Sequence, residues 1–145
     1  MKEMVYLPER LKKPEVLLDT IDKETGFRII ILSLGTHPCA YVGIPVNHPF
    51  AGWDCEDVGF IDCHGGITYS REGDGDYLPE GYWWYGWDYA HADDFVGYYK
   101  GESFMERITK KWTTKEIDER SEKILNFMND RWHLGLKIAD INKLK

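Results

Sequence analysis

Two apolar stretches rich in β-branched residues dominate the first half of the chain. The segment FRIIILSLG, residues 27–35, predicts a strand, and CAYVGIPV, residues 39–46, predicts a second strand after a turn at THP. Together they predict an antiparallel hairpin that Pro45 closes. The preceding segment PEVLLDTIDKETG is compatible with a short helix or with an extended lead-in, and the turn residues KETG end it.

Two further strands are predicted in the middle of the chain. The segment GFIDCHGGITYS, residues 59–70, predicts a strand interrupted at Gly65 and Gly66, where a double glycine indicates a bulge or a close backbone approach. The segment YWWYGWDYA, residues 82–90, is aromatic on both faces, which predicts a central strand. The intervening segment REGDGDYLPEG predicts an exposed acidic loop.

The C-terminal third contains one clear helical pattern, in residues 113–132. Thr113 and Glu116 have the spacing of a capping box, and apolar residues recur at helical intervals at Ile117, Ile124, Leu125 and Met128. The tail LGLKIADI, residues 134–141, predicts an edge strand. The pattern therefore predicts a single α+β domain over residues 1–145, with a mostly antiparallel sheet and an amphipathic helix on one face.

Composition adds a sizeable core and an acidic surface to this picture. The chain is 43% hydrophobic, and 25 acidic residues against 18 basic ones give a formal net charge of -7. Such a charge argues against direct binding of nucleic acid and permits competition with nucleic acid for a basic partner. The plainer alternative is that the charge only keeps the protein in solution. We find no membrane segment and no signal peptide, and an odd count of three cysteines then predicts thiols in a cytoplasm.

Three of the five histidines stand beside carboxylates or glycines at predicted strand ends. Because imidazole and carboxylate groups are zinc ligands, these segments predict one zinc site, with ligands from His48, His64, Asp88 and His91. Asp54 and Asp94 are alternative ligands, or they accept a hydrogen bond from the second ring nitrogen of a ligand histidine. The simpler alternative is that His91 caps a turn among solvated aspartates. A nucleophilic Cys63 with a histidine partner is a further, weaker alternative.

Three separated motifs resemble a family of small phage and prophage proteins. They are GFRIIILSLGTHPCAYVGIPVNHPFAGWD, CHGGITYS and WWYGWDYAHADD, and they stand in the same order as CGYVGVP..HP, HGGLTYS and WWFGFDCAHAGD in the family. The resemblance covers residues 26–95. Two positions depart from it, because Tyr89 stands where the family has cysteine and Asp93 where it has glycine. The recurring polar positions of the family fall on His48, Asp54, His64, Asp88, His91 and Asp94.

The resemblance implies a viral accessory protein inside a bacterial host, similar to a metal-containing anti-CRISPR protein that acts on a Cas9-type effector. In this hypothesis a structural zinc stabilises the fold, and an acidic surface blocks the basic groove that holds the guide–target duplex. The effector is bound directly, without nucleic acid and without a membrane. The candidate contact residues are the acidic loop (Glu72, Asp74, Asp76 and Glu80) and the acidic helix face (Glu116, Asp118, Glu119 and Glu122).

A metal-dependent hydrolase is the alternative from another functional class. Three protein ligands would leave one position open for a water nucleophile, and Asp54 or Asp94 would act as general base on a nucleotide signal of host defence. The number of protein ligands separates the two hypotheses, since four ligands indicate a structural zinc and three indicate a catalytic one. A third possibility is a phage protein whose polar cluster serves only its own fold.

Overall fold

The computed structural model describes residues 13–96 and 109–143, and within 131–143 it describes the backbone alone. Over these residues a five-stranded sheet is followed by one helix: β1 (Glu15–Ile21), β2 (Arg28–Ser33), β3 (Pro38–Pro45), β4 (Tyr69–Glu72), β5 (Tyr82–Asp88) and α1 (Thr114–Lys143). The strand order is β1-β2-β3-β5-β4, and all neighbouring strands are antiparallel. The predicted α+β class, with a mostly antiparallel sheet, is confirmed.

The predicted hairpin forms the centre of the sheet. Arg28 pairs with Gly43, and Ser33 pairs with Pro38, so β2 and β3 are in register along their length. The connecting turn is closed by the Leu34 amide, which donates to the carbonyl of His37 at 3.0 Å. The segment before the hairpin is extended and adds β1 at the edge, which decides between the two alternatives that the sequence left open.

The central strands bury both of their faces. On one face, Ile29 and Ile31 of β2 lie in the main core with Tyr85 and Trp87 of β5. On the other face Ile30, Leu32 and Trp84 pack with Leu78, which comes from the loop between β4 and β5. Because each fully buried large apolar side chain contributes about 1.5–3 kcal/mol, both faces stabilise the sheet. The prediction of a central, doubly buried β5 is therefore correct.

Helix α1 begins with the capping box that its sequence predicts. Thr113 Oγ1 accepts from the Glu116 amide at 3.2 Å, and Glu116 Oε1 accepts from the Thr113 amide at 3.1 Å. The predicted stripe is buried, with Ile117 and Met128 fully inaccessible, and α1 packs against β2 and β3. None of the helical residues that the structure describes forms a segment both long and apolar enough to cross a membrane.

Two predicted strands are wrong. Residues 59–68 form turns and bends, and the strand begins only at Tyr69, because Gly65 and Gly66 have φ values of 73° and 81°, outside the strand region. Residues 134–141 belong to α1 and not to an edge strand. Once a helix has nucleated, each further residue adds a hydrogen bond at low cost, and leucine, lysine and alanine in this tail are good helix formers.

Candidate functional site

The main polar centre of the described structure is a buried carboxylate, Asp94, just beyond the end of β5. The residue is 3% exposed. Asp94 Oδ2 accepts from His64 Nε2 at 2.6 Å and from the His91 amide at 2.9 Å, while Oδ1 accepts from Trp112 Nε1 at 2.8 Å. One carboxylate thus joins three separate segments of the chain.

These hydrogen bonds explain how the carboxylate tolerates burial. A buried carboxylate without partners costs several kcal/mol, whereas N–H donors placed on both oxygens offset that cost. Three donors reach the two oxygens of Asp94, and two of them come from side chains that are distant in sequence. The residues His64, Asp88, His91, Asp94 and Trp112 form what we call the Asp94 cluster.

Aromatic contacts fix the orientation of the His64 ring. It stacks on Tyr89 with ring centroids 4.6 Å apart and planes inclined by 10°, and its other neighbours are Trp112 at 5.0 Å and His91 at 5.2 Å. Burial raises the pKa of Tyr89 to about 12, so its hydroxyl stays protonated at neutral pH. The ring of His64 is therefore held by stacking as well as by its hydrogen bond to Asp94.

Gly65 allows the second histidine to approach. A Cβ atom at this position would lie 2.1 Å from His91 Nε2, a distance that no side chain could accept without displacing the ring. His91 Nε2 also lies 3.5 Å from Asp88 Oδ1, at the end of β5. The close backbone approach predicted from the double glycine is thus present, and the group that approaches Gly65 is the imidazole of His91.

The predicted zinc ligands separate into two places. His64, Asp88 and His91 lie together with Asp94, whereas His48 follows Pro45 at the opposite end of β5, where Pro45 pairs with Tyr82. The His48 ring lies 5.3 Å from the ring of Phe27, and its Nδ1 accepts from the Phe50 amide at 3.1 Å. The seven residues from Tyr82 to Asp88 span about 20 Å of strand, so His48 does not belong to the Asp94 cluster.

Asp54 also lies apart from the cluster. It is exposed in the loop after β3, where its carbonyl accepts from the Asp57 amide at 3.0 Å. Within residues 13–96 and 109–130, it forms no hydrogen bond or ion pair with His64, His91 or Asp94. Of the two candidate supporting aspartates, only Asp94 contacts a histidine of the site.

As the side chains lie, they do not fit a bound metal. In the part of the chain that the structure describes, no group of three or more His, Cys, Asp or Glu residues could hold a metal ion. His64 Nε2 is already engaged by Asp94, and coordination would require the imidazole rings to leave their present positions. Zinc stays a prediction from the sequence.

Cys63 has the properties of a structural thiol. Burial, followed by the nearby charge of Asp62, raises the pKa of the Cys63 thiol to about 11, although Arg120 opposes this shift. Since the thiolate is the nucleophilic form, Cys63 is protonated and unreactive at neutral pH. The nucleophilic alternative for this residue loses its chemical basis.

Trp112 is the member of the Asp94 cluster that sequence reasoning missed. Its indole N–H donates to Asp94, and Lys110 Nζ lies 3.9 Å from its ring centroid. Lys110 in turn pairs with Glu116 at 2.6 Å. The only signal in the sequence was the position of Trp112 directly before the capping box, and that position does not indicate a partner 18 residues away.

The two predicted acidic surfaces differ in how their charges are used. At the end of β4 and in the loop that follows it, four carboxylates are exposed and none forms an ion pair within the described residues: Glu72, Asp74, Asp76 and Glu80. On α1, Glu116 is held by Thr113 and Lys110, and Asp118 is partly buried, which raises the pKa of its carboxyl. Of the four candidate carboxylates on α1, Glu119 and Glu122 are exposed.

Comparison with known proteins leaves this site without a relative. No family model matches the sequence, and neither a curated protein nor a solved structure shows significant similarity to the chain. The resemblance to phage proteins therefore stays a prediction from three motifs, and any function has to be argued from the residues of this chain.

Proposed function

We propose that this chain is a binding protein that inhibits a nucleic-acid-handling partner by docking an acidic loop on a basic groove. The observation that carries the proposal is the set of four exposed carboxylates at the end of β4 and in the loop that follows it, none of which forms an ion pair within the described residues. Charges that are not committed inside the protein are available to a partner. Opposite charge on the partner then accelerates association and gives specificity.

The loop is ordered by its own contacts, which favours binding. Gly73 and Gly75 donate amide hydrogen bonds to Tyr82 at 3.0 Å and Leu78 at 3.1 Å. Trp84 Nε1 donates to the Pro79 carbonyl at 3.0 Å, and Leu78 is buried against the same indole. A loop that is already ordered loses less conformational entropy on binding than a flexible one does.

The hydrolase alternative has less support. A general base needs a free lone pair directed at a substrate or a water, but both oxygens of Asp94 accept hydrogen bonds inside the protein. The other proposed base, Asp54, lies outside the Asp94 cluster. The alternative keeps one point in its favour, which is the partly exposed His64 ring beside a cleft.

The partner that best suits this chemistry has a positively charged channel. A Cas9-type effector holds its guide–target duplex in such a channel, and a rigid acidic loop would compete with the phosphate backbone there. The motif resemblance to phage proteins supplies this choice of partner. The fold supports only the acidic surface. The proposal therefore has two parts, the interface and the identity of the partner, and an experiment can test them separately.

The experiment uses charge reversal in the loop, as the triple variant Asp74→Lys, Asp76→Lys and Glu80→Lys. The matched control is Glu24→Lys, Glu56→Lys and Asp130→Lys, which changes the net charge equally at exposed positions elsewhere. We expect the loop variant to associate about tenfold more slowly with a purified, guide-loaded Cas9-type effector, while the control stays within about twofold. Association rates measured at low and high salt give the readout.

Three outcomes would count against the proposal. Equal slowing by both triple variants would show a general charge effect and not a defined surface. Slowing by Glu119→Lys and Glu122→Lys instead would assign the interface to α1. Absence of binding to the effector, together with capture of a different basic protein that is sensitive to the loop reversal, would keep the acidic inhibitor and reject the partner.

The zinc site predicted from the sequence has a separate test. If the metal is present, about one zinc per chain should remain on protein purified without chelator, because structural zinc sites bind tightly. His64→Ala and His91→Ala should remove it, and His48→Ala should leave it in place, since His48 lies at the other end of β5. Elemental analysis without stoichiometric metal in the parent protein would end the zinc prediction and leave the binding proposal standing.

A further inference from the structure

A polar cleft lies between the segment that contains His64 and the N-terminal turns of α1. Its volume is about 320 Å³, within the range of roughly 300–1,000 Å³ that is typical of small-molecule sites. His64 and Tyr89 line one side, and Arg120 and Lys123 of α1 line the other. No carboxylate of the acidic loop lines this cleft, so the cleft and the proposed interface are separate surfaces.

Arg120 and Lys123 form only weak ion pairs, or none, within the described residues. Arg120 approaches only Asp62, at 3.9 Å, and the Asp62 side chain is 96% exposed, so water screens this pair strongly. Lys123 forms no ion pair in the described part of the chain. Both residues come from the same face of α1, three positions apart, and this spacing places their side chains next to each other.

The guanidinium of Arg120 acts on the interior of the cleft. Burial is the main influence on Cys63 and Tyr89 and raises the pKa of each, but the charge of Arg120 lowers both. Its positive charge is therefore felt by groups that line the cleft. A guanidinium and an ammonium that line the same cleft from neighbouring positions of one helix are donors suited to phosphate oxygens.

Three acidic residues line the cleft, and they differ in how strongly they oppose an anion. Asp62 is exposed and lies 3.9 Å from Arg120, so it competes with an anion for that guanidinium. Glu116 is neutralised by Lys110 and by its capping hydrogen bonds, so it repels an anion little. Glu119 is exposed and lines the cleft without an ion pair in the described residues, so it opposes an anion. The overall charge of the chain acts weakly here, since salt screens charges beyond about 10 Å at 0.1 M.

We propose that this cleft is a binding site for a small phosphate-bearing molecule, with Arg120 and Lys123 as the charged contacts and His64 as the polar wall. Asp94 is a positioning residue in this site, because it holds His64 by Nε2 and does not line the cleft. The buried carboxylate and the stacked Tyr89 ring keep the wall fixed before a ligand arrives. The site requires no metal and no turnover.

The test is a titration of the whole protein with inorganic phosphate and, separately, with adenosine monophosphate, followed by amide NMR at constant ionic strength. We expect saturable shifts at residues 62–64 and 119–123. The variant Arg120→Gln, Lys123→Gln should bind at least tenfold more weakly. The matched control Arg71→Gln, Lys115→Gln loses the same charge at exposed positions outside the cleft and should bind as the parent does.

A second variant should strengthen phosphate binding and not weaken it. Glu119→Gln removes the opposing carboxylate and should tighten phosphate binding several-fold, an effect that misfolding would not produce. Tighter binding of adenosine monophosphate than of phosphate assigns a nucleotide, and equal binding assigns the phosphate group alone. Shifts that chloride reproduces, shifts that do not saturate, or equal weakening in the matched control would overturn the proposal.

Discussion

The two ends of β5 carry similar residues with different chemistry. At the Asp88 end, His64 and His91 contact carboxylates, and a buried Asp94 organises them. At the Tyr82 end, His48 contacts aromatic rings and one backbone amide. Each histidine stands near a proline, a glycine or an aspartate in the sequence, so local composition does not distinguish the two environments.

The two ends of β5 differ because different segments of the chain pack against them. At the Asp88 end, the segment before α1 contributes Trp112, which donates to Asp94. The loop that contains Gly65 also packs there, and the absence of a side chain at Gly65 leaves room for the His91 ring. The Tyr82 end receives Phe27 and Phe50. A polar cluster forms only where donors from several segments meet one buried acceptor, because an unpaired buried carboxylate is costly.

The largest expected effect comes from Asp94→Ala. The change removes a buried carboxylate that accepts three hydrogen bonds, and it separates the three chain segments that these bonds hold together. We expect a loss of about 3–5 kcal/mol in the free energy of unfolding, measured by urea denaturation. The control is Asp93→Ala at the adjacent exposed position, which should change stability by less than about 0.5 kcal/mol. Equal effects of the two variants would show that Asp94 does not organise this end.

Much of the fold could be predicted from the sequence. β-Branched residues indicated β2 and β3, aromatic residues on both faces indicated a central β5, and the capping box indicated the start of α1. These signals are local, since they depend on residues within one strand or one turn. The exposed acidic loop could be predicted equally well, because glycine, proline and carboxylates rarely occupy a buried strand.

The candidate site was predictable only in part. His64, Asp88, His91 and Asp94 do come together, but the sequence grouped His48 with them because it contains no information on which end of a strand a loop occupies. It also missed Trp112, whose contact with Asp94 spans 18 positions. The strand predicted over residues 59–70 forms only from Tyr69 onward, because the fold uses the two glycines before it at positive φ.

A smaller effect is expected for alanine substitutions at the adjacent residues Gly65 and Gly66, which should each lower the free energy of unfolding by between about 1 and 3 kcal/mol. Alanine at Gly65 or Gly66 meets the same backbone strain, since both have positive φ values, at a cost of about 1–2 kcal/mol. Only at Gly65 would the new Cβ meet a side chain, His91. We expect Gly65→Ala to be the more destabilising variant and to shift the imidazole resonances of His91.

The matched variant makes this test specific. At Gly66 no atom lies within 4 Å of the added Cβ, so Gly66→Ala reports the strain alone. In the double variant Gly65→Ala, His91→Ala, the additional cost should disappear, because the ring that the methyl group displaces is absent. Identical denaturation midpoints for the two single variants would mean that the approach of His91 to Gly65 contributes nothing to this end of β5.

The smallest effect concerns the outermost contact of the same end, the pair formed by Lys110 and Glu116. Partial burial acts to raise the pKa of Glu116, but hydrogen bonds from Lys110 and Thr113 outweigh it and lower the pKa. A carboxyl whose pKa is lower in the folded than in the unfolded state stabilises the fold above its unfolded pKa of about 4.3. That contribution disappears as the pH falls through the lowered value.

Glu116→Gln should therefore cost about 0.2–1 kcal/mol at pH 7, because exposed ion pairs contribute little and glutamine keeps the capping hydrogen bond. The difference from the parent should shrink as the pH falls through the lowered pKa of Glu116, because both side chains are then neutral. Glu119→Gln, three residues further along α1 and without an ion pair in the described residues, is the control that removes the same charge. Denaturation midpoints of the three proteins between pH 3 and pH 7 would reveal this pH dependence, and a gap that widens on acidification would reverse the assigned role of Glu116.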